Sequence, residues 1–334
     1  MTEKAPSRIF KVGLTRDLRN AEGNPTFGKG PLALLDSEPS IEWEFLPELV
    51  EEITPDLMAS YDAIFVSRPR VPANAVSRED CRVRVIARNG VGFDGVDVRA
   101  LEQAGVITTN TPIAIRRPVA VAALTFILAL AGRLVAKDRI TRTGRWAERS
   151  AMNGLGLTTR TVGVIGVGGI GREFLTLARP FGWRMLASDP FVDEASVAAL
   201  AATKVTLETL LAESDFVVVL VPLSEATRHM INAERLALMK STAYLINMAR
   251  GALCDEPALI AALQSGGIAG AGLDVFEKEP IAPDNPLLQM DNVLVTPHSL
   301  CWTDECIDAM AREGLSSIVD VANGRTPKSV VRPS

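Results

Sequence analysis

The sequence predicts an α/β fold made of two doubly wound domains, on three observations. Between residues 161 and 296, short apolar runs alternate with helical segments and turns, which is the pattern of a doubly wound sheet. The runs are continuously apolar, Phe216–Val221 most clearly, as expected for parallel strands buried on both faces. The length of 334 residues suits two domains of about 150 residues each.

The amino-terminal part supplies the first strands. Short apolar or β-branched runs separated by polar segments predict four strands: Phe10–Leu14, Trp43–Leu46, Ala63–Ser67 and Val83–Ala87. Asn20–Pro31, rich in glycine and proline, is predicted to be a loop. The Ala- and Leu-rich segment Val119–Lys137 favours a helix, and a polar, Arg-rich passage follows it as far as Thr161.

From Thr161 onward the chain repeats strand, turn and helix. The predicted strands are Thr161–Gly166, Arg184–Ser188, Phe216–Val221, Ala243–Asn247, Gly270–Val275 and Val293–Thr296. Connecting helices are predicted at Gly169–Phe181 and Asp255–Ser265. A long amphipathic segment, about Thr303–Ala322, predicts a last helix that packs back on the first domain.

Composition and charge exclude several functional classes. The 47% hydrophobic fraction is too high for a disordered chain. A net charge of −5 argues against a nucleic-acid partner, because such binding depends on clustered positive charge. The longest apolar stretch, Val119–Ala131, falls short of the about 20 residues of a spanning helix, so no membrane partner is expected. The polar start of the chain favours the cytoplasm, and the four scattered cysteines predict no metal site.

A glycine-rich turn predicts a dinucleotide site. Gly166-Val-Gly168-Gly-Ile-Gly171 fits G-x-G-x-x-G, follows a predicted strand and opens a predicted helix. In that context the first glycine permits a tight turn, the second lets the backbone approach a pyrophosphate, and Gly171 lets helix and strand pack closely. An ordinary glycine-rich turn is the alternative.

An acidic residue favours NAD over NADP as the cofactor. Asp189 ends the second strand of this part, about 20 residues beyond the glycine motif. A carboxylate there accepts hydrogen bonds from ribose hydroxyls and repels a 2′-phosphate. The alternative is a turn residue before Pro190.

The catalytic candidates lie at one edge of the predicted sheet. Of the two histidines, His229 sits in a helix or turn, whereas His298 follows a strand end, where open α/β sheets bind ligands. Arg250 and Glu279 also follow strand ends. Their shared location favours a functional role over the alternative, which is three solvated loop groups.

Together with the glycine motif, six further segments follow one family pattern: Asn89–Asp94, Thr109–Pro112, Val221–Leu223 with Thr227, Leu245–Gly251, Gly272–Pro280 and Thr296–His298. On these segments the chain resembles the D-isomer-specific 2-hydroxyacid dehydrogenases, which include glyoxylate/hydroxypyruvate reductases, D-lactate dehydrogenases and 3-phosphoglycerate dehydrogenases. The resemblance implies a flavodoxin-like substrate domain, 1–111 plus 299–334, and an inserted NAD-binding Rossmann domain, 112–298. It also implies a homodimer.

The resemblance assigns the chemistry to three residues. Arg250 would bind the carboxylate and carbonyl oxygen of a 2-keto acid, for which a planar fork of donors is suited. His298 would protonate that oxygen as the cofactor gives up hydride, and would remove the proton in the reverse reaction. Glu279 would orient His298 and stabilise its imidazolium.

The remaining site residues are implied in the same way. The backbone amides of Val91 and Gly92 would bind the substrate carboxylate. Asp274 would hydrogen-bond the nicotinamide carboxamide, with a structural acid at a strand end as the alternative. The expected cofactor-binding set is Gly166, Gly168, Gly169, Ile170, Gly171, Asp189, Val221, Pro222, Thr227, Met248, Ala249, Arg250, Asp274 and His298.

Substrate identity is less well defined by the sequence. Arg68 could contact a substrate phosphate or carboxylate, and Arg117 could contact a second acidic group, with a solvated hinge cation as the alternative. The run Ser299–Trp302 is bulkier than the small residues usual after this histidine. The predicted reaction is interconversion of a glyoxylate-like, hydroxypyruvate-like or phosphoglycerate-like 2-keto acid and its D-2-hydroxy acid. An NAD(H)-sensing, corepressor-like protein on the same scaffold is the alternative.

Overall fold

The structure, a computed structural model, describes residues 8–333. Residues 1–7, which contain most of the polar amino-terminal segment, lie outside the described part. The described strands are β1 Phe10–Leu14, β2 Ile41–Phe45, β3 Ala63–Val66, β4 Val85–Arg88, β5 Ile107–Thr109, β6 Thr161–Ile165, β7 Arg184–Ser188, β8 Thr203–Lys204, β9 Phe216–Val219, β10 Tyr244–Asn247, β11 Gly270–Leu273 and β12 Val293–Val295. All the pairings between them are parallel.

The helices connect these strands. The α-helices are α1 Ala33–Asp36, α2 Pro55–Ser60, α3 Val98–Gln103, α4 Arg116–Gly132, α5 Leu134–Arg142, α6 Gly169–Ala178, α7 Glu194–Ala198, α8 Leu207–Glu213, α9 Ala233–Leu238, α10 Glu256–Gln264 and α11 Asp304–Ala322. Short 3-10 helices cover Arg16–Leu18, Gly30–Leu32, Ala73–Val76, Trp146–Ala151, Arg179–Phe181, Gly251–Leu253 and Pro286–Gln289.

The chain divides into two compact units. The first unit runs to Ile115 and resumes at Trp302, and the second unit spans Arg116–Cys301. The boundaries expected from the family resemblance lie after residues 111 and 298, a few residues earlier in each case.

The first unit is built on a five-stranded sheet with the order β2-β1-β3-β4-β5, which is the flavodoxin-like order. Helix α11 belongs to this unit and buries Ala311, Leu315 and Ile318 in its core. Gly314 lets the helix come close, because a Cβ there would collide with the ring of Phe65 on β3. The predicted packing of the last helix on the first domain is confirmed.

The second unit is built on a seven-stranded sheet with the order β12-β11-β10-β9-β6-β7-β8. The strand order reverses between β6 and β9, so a crevice opens there at the carboxyl ends of the strands. Every residue of β6 and β9 is buried, in agreement with continuous apolar runs covered on both faces. The predicted doubly wound α/β fold is confirmed in both units.

Two secondary-structure expectations need correction. The predicted helix Val119–Lys137 is two helices, because Arg133 adopts a left-handed backbone with φ of 52° between α4 and α5. The short strands β5 and β8 lie where the sequence predicted none. Among residues 8–333 no single helix is long and apolar enough to cross a membrane; α4 and α5 pass that test only as a pair, bent by 57°.

Candidate active site

Three polar side chains follow neighbouring strands at the carboxyl edge of the seven-stranded sheet. Arg250 lies just after β10, Glu279 in the loop after β11, and His298 just after β12. Because these three strands are adjacent and parallel, the segments that leave them meet at one edge of the sheet. This edge carries the guanidinium, the carboxylate and the imidazole that the sequence singles out.

Glu279 and His298 form a direct hydrogen bond. The distance from His298 Nδ1 to Glu279 Oε2 is 2.7 Å, and Glu279 Oε1 accepts the Phe276 N–H at 2.9 Å. Burial opposes ionisation of Glu279, but the hydrogen bonds from His298 and Phe276, with the charges of His298 and Arg250, outweigh it and hold the pKa of the carboxyl below its ordinary value. An ionised carboxylate only accepts hydrogen bonds, so Nδ1 of His298 carries a proton and donates it.

The backbone around Arg250 is fixed by short-range contacts. Asn247, at the end of β10, donates its Nδ2 to the Arg250 carbonyl at 2.8 Å and accepts the Ala249 N–H at 3.1 Å. Gly251 packs directly on the Phe276 carbonyl, and a Cβ at that position would collide with it. These contacts hold the segment that carries Arg250 against the loop that leads to Glu279.

Asp274 holds the turn that carries His298. It is 2% exposed, and its Oδ1 accepts three hydrogen bonds: from Thr296 Oγ1 at 2.6 Å, Ser299 N at 2.9 Å and Leu300 N at 3.1 Å. The Asp274 carboxylate therefore has a structural role: it binds residues on both sides of His298 and fixes the turn. The predicted contact with a nicotinamide carboxamide stays a prediction.

The glycine motif forms the turn between β6 and α6 at the reversal of strand order. Gly166 has φ of 96°, and a Cβ on it would lie 2.7 Å from Val221 Cγ1 in the segment after β9. A Cβ on Gly171 would collide with the Gly166 carbonyl. Gly168 is the N-cap of α6, where backbone N–H groups face an anion. The turn therefore has the shape and polarity that a dinucleotide pyrophosphate requires.

Asp189 lies next to this turn, at the end of β7. Its Oδ2 accepts the Val167 N–H at 2.8 Å and its Oδ1 accepts the Phe191 N–H at 2.8 Å. The carboxylate is thus fixed beside the glycine turn, where an adenosine ribose would lie in a doubly wound fold. The residues of the second unit fit an NAD cofactor.

The other predicted cofactor contacts lie in three segments at the same edge: after β9, after β10 and at the start of α6. Thr227 shapes the first of them, because its hydroxyl donates to the Pro222 carbonyl at 2.8 Å and accepts the Ser224 N–H at 2.8 Å. Met248 and Ala249 directly follow β10. Ile170 lies in the first turn of α6. Their contacts with the cofactor stay predictions.

The predicted substrate residues of the first unit follow two adjacent strands. Arg68 follows β3 and is exposed, and its backbone N–H donates to Asp17 Oδ2 at 2.9 Å. Val91 and Gly92 follow β4, and Asn110 Nδ2 donates to the Val91 carbonyl at 2.8 Å. Their roles toward a substrate stay predictions.

Arg117 and His229 have partners that sequence reasoning missed. Arg117 pairs with Glu173 on α6, Nη1 to Oε1 at 3.1 Å, and its contact with a second acidic group of a substrate stays a prediction. His229 Nε2 lies 2.6 Å from Glu277 Oε1, which gives that histidine a structural contact. No local pattern marks either pair, because the partners are far apart in the chain.

Comparisons with known proteins agree with this geometry. Residues 124–299 match the model of the D-isomer specific 2-hydroxyacid dehydrogenase, NAD binding domain. The chain belongs to the D-isomer-specific 2-hydroxyacid dehydrogenase family. It is 40% identical to a glyoxylate reductase of Korarchaeum cryptofilum over 75% of this chain and 76% of that protein. It is 35% identical to a glyoxylate reductase of Pyrococcus horikoshii over 96% and 95% of the two chains.

A solved structure supports the same conclusion. The crystal structure of D-lactate dehydrogenase from Aquifex aeolicus, complexed with NAD and lactic acid, superposes with a TM-score of 0.83 at 28% identity, over 97% of this chain and 100% of that chain. This D-isomer-specific 2-hydroxyacid dehydrogenase is an NAD-dependent oxidoreductase that interconverts 2-keto acids and 2-hydroxy acids.

Proposed function

We propose that this chain reduces a small 2-keto acid of the glyoxylate or hydroxypyruvate type to the D-2-hydroxy acid, with His298 as the proton donor. The Glu279–His298 hydrogen bond of 2.7 Å, with Arg250 after the neighbouring strand, carries this proposal. The glyoxylate reductases among its relatives support the small substrate.

The contact with Glu279 decides which ring nitrogen of His298 is left for the substrate. Because Nδ1 donates to the carboxylate, Nε2 is the ring nitrogen that faces a substrate. The imidazolium form gives its Nε2 proton to the carbonyl oxygen during reduction, and the neutral form takes a proton from the hydroxyl during oxidation. Glu279 keeps the ring orientation and stabilises the imidazolium.

Arg250 supplies a positive charge for the two anionic groups of the reaction, the substrate carboxylate and the carbonyl oxygen as it is reduced. Its planar donors suit the carboxylate and the carbonyl oxygen of a 2-keto acid together. When bound, NADH supplies the hydride for the carbonyl carbon. The backbone amides of Val91 and Gly92, with Arg68, are proposed as further substrate contacts.

A substrate panel tests the proposal. The purified chain is mixed with NADH and either glyoxylate, hydroxypyruvate, pyruvate or a bulkier keto acid, and the loss of NADH absorbance is followed. We expect turnover with glyoxylate or hydroxypyruvate and a chiral product of D configuration from hydroxypyruvate. Tight NADH binding without turnover of any keto acid would contradict the proposal.

We also propose a homodimer, formed through the second unit, in the cytoplasm. Its support is a set of exposed apolar side chains on α4, α5 and the 3-10 helix that follows: Val121, Leu128, Leu134, Val135 and Trp146. Apolar side chains gathered on consecutive elements are typical of a surface that another chain covers.

A further inference from the structure

The side chain of Arg116 lies on the glycine motif. Arg116 is the first residue of α4, and a Cβ built on Gly169 would lie 2.6 Å from its Nε and 3.2 Å from its Cδ and Cζ. Gly169 is in turn the first residue of α6. The guanidinium therefore crosses the start of the helix whose N–H groups face the pyrophosphate site.

The contact with Arg116 explains why position 169 is a glycine, since neither backbone conformation nor the glycine motif requires one there. Gly169 is not among the described glycines with positive φ, and it is not one of the three glycines that define G-x-G-x-x-G. A side chain there would overlap the stem and the guanidinium of Arg116. The glycine makes room for the arginine.

The next residue, Arg117, lies against a different neighbour. It pairs with Glu173 on α6 at 3.1 Å. Asp189, beside the glycine turn, has both carboxylate oxygens bonded to backbone N–H groups. The position of Arg116 over Gly169 places a cation directly at the turn that receives the anionic part of the cofactor.

We propose that Arg116 is a phosphate-binding residue for the cofactor, outside the glycine motif. Its guanidinium would donate hydrogen bonds to the pyrophosphate oxygens, a geometry that arginine makes in bidentate form. Gly169 serves this contact by leaving the space that the arginine stem occupies. The inference rests on NAD binding and does not depend on the keto acid that is reduced.

Equilibrium binding of NADH to the full chain tests this role. Arg116→Met keeps the apolar stem and removes the charge, and Arg117→Met is the matched control because Arg117 contacts Glu173 whereas Arg116 contacts Gly169. Loss of a charge-assisted hydrogen bond predicts that R116M weakens NADH binding roughly 10- to 100-fold, whereas R117M changes it by less than about threefold. R116M should also weaken the binding of ADP-ribose, which keeps the pyrophosphate. The binding of adenosine, which lacks it, should not change.

Salt and a second variant give independent readouts. Raising the ionic strength should weaken NADH binding less in R116M than in the unaltered chain, because one charge contact has gone. Gly169→Ala should displace Arg116 and reproduce most of the loss. R116A/G169A should then bind NADH about as well as R116A alone, because the two changes act on one contact.

Two results would overturn the proposal: R116M that binds NADH within about twofold of the unaltered chain, or equal losses in R116M and R117M. Thermal unfolding of each variant checks that it is folded, and Arg116→Lys, which retains the charge, should recover part of the affinity. A chain that needs Arg116 for NADH binding but reduces no keto acid would contradict the proposed reaction and leave this inference standing.

Discussion

At the scale of single residues, His298 is the group on which turnover depends most. His298→Ala removes the proton donor while leaving the glycine turn untouched. We expect kcat to fall by roughly 10²- to 10⁴-fold, the usual contribution of a general acid–base group, with NADH affinity nearly unchanged. Steady-state kinetics and NADH titration on the same preparation separate the two effects. A parallel loss of NADH affinity would contradict this role.

Glu279 predicts a pH dependence of stability. Its pKa is lowered in the folded chain, by hydrogen bonds and charges that outweigh burial, so its ionised form favours folding. That contribution is complete above the ordinary glutamate pKa of about 4.3 and is lost as pH falls through the lowered value. Denaturant unfolding of the unaltered chain and of Glu279→Gln, measured from neutral to acidic pH, should converge at the acidic end. A stability difference that stays constant in acid would contradict the prediction.

Asp189 predicts the choice between the two nicotinamide cofactors. Asp189→Ala and Asp189→Asn both remove the charge that repels a 2′-phosphate, and the asparagine keeps an acceptor for one of the two backbone N–H groups that Asp189 binds. Both should raise kcat/KM with NADPH relative to kcat/KM with NADH. An unchanged ratio in both variants would refute the ribose assignment.

The sequence reveals some site residues and hides others for a physical reason. Arg250, Glu279 and His298 are predictable because each follows a strand whose apolar run is visible, and parallel strand ends share an edge. The three donors to Asp274 and the position of Arg116 over Gly169 depend on how turns and helices pack. No residue pattern within a window of the chain encodes those contacts.

At the scale of elements, burial decides which strands can be predicted from the sequence. The central strands β6 and β9 are covered on both faces and read as apolar runs, whereas β8, Thr203–Lys204, is short and polar at the sheet edge. The break between α4 and α5 lies at Gly132 and Arg133, but Leu134 and Val135 follow at once, so the composition of the segment favours one continuous helix. A left-handed residue such as Arg133, with φ of 52°, is rare outside glycine and asparagine.

The segment after β10 packs on the loop after β11 at Gly251 and Phe276. This contact predicts that position 251 must be glycine. Gly251→Ala would put a methyl group into the Phe276 carbonyl, so the loop that leads to Glu279 must shift. We expect a loss of about 1–3 kcal/mol in the free energy of unfolding, with a fall in kcat. Gly156→Ala, where a Cβ meets nothing within 4 Å, is the control, and denaturant unfolding measures both. Equal stability of the two variants would contradict this account.

At the scale of the whole molecule, the exposed apolar residues of α4 and α5 predict the oligomeric state. Light scattering on a sizing column should give twice the mass of the chain. Leu134→Glu places a charge in the proposed interface, where burying it without a partner is costly, so we expect a shift to monomer. Leu49→Glu changes an exposed leucine of the first unit and should leave the dimer intact. A monomeric unaltered chain, or dissociation by both variants, would mean that this apolar surface is not the dimer contact.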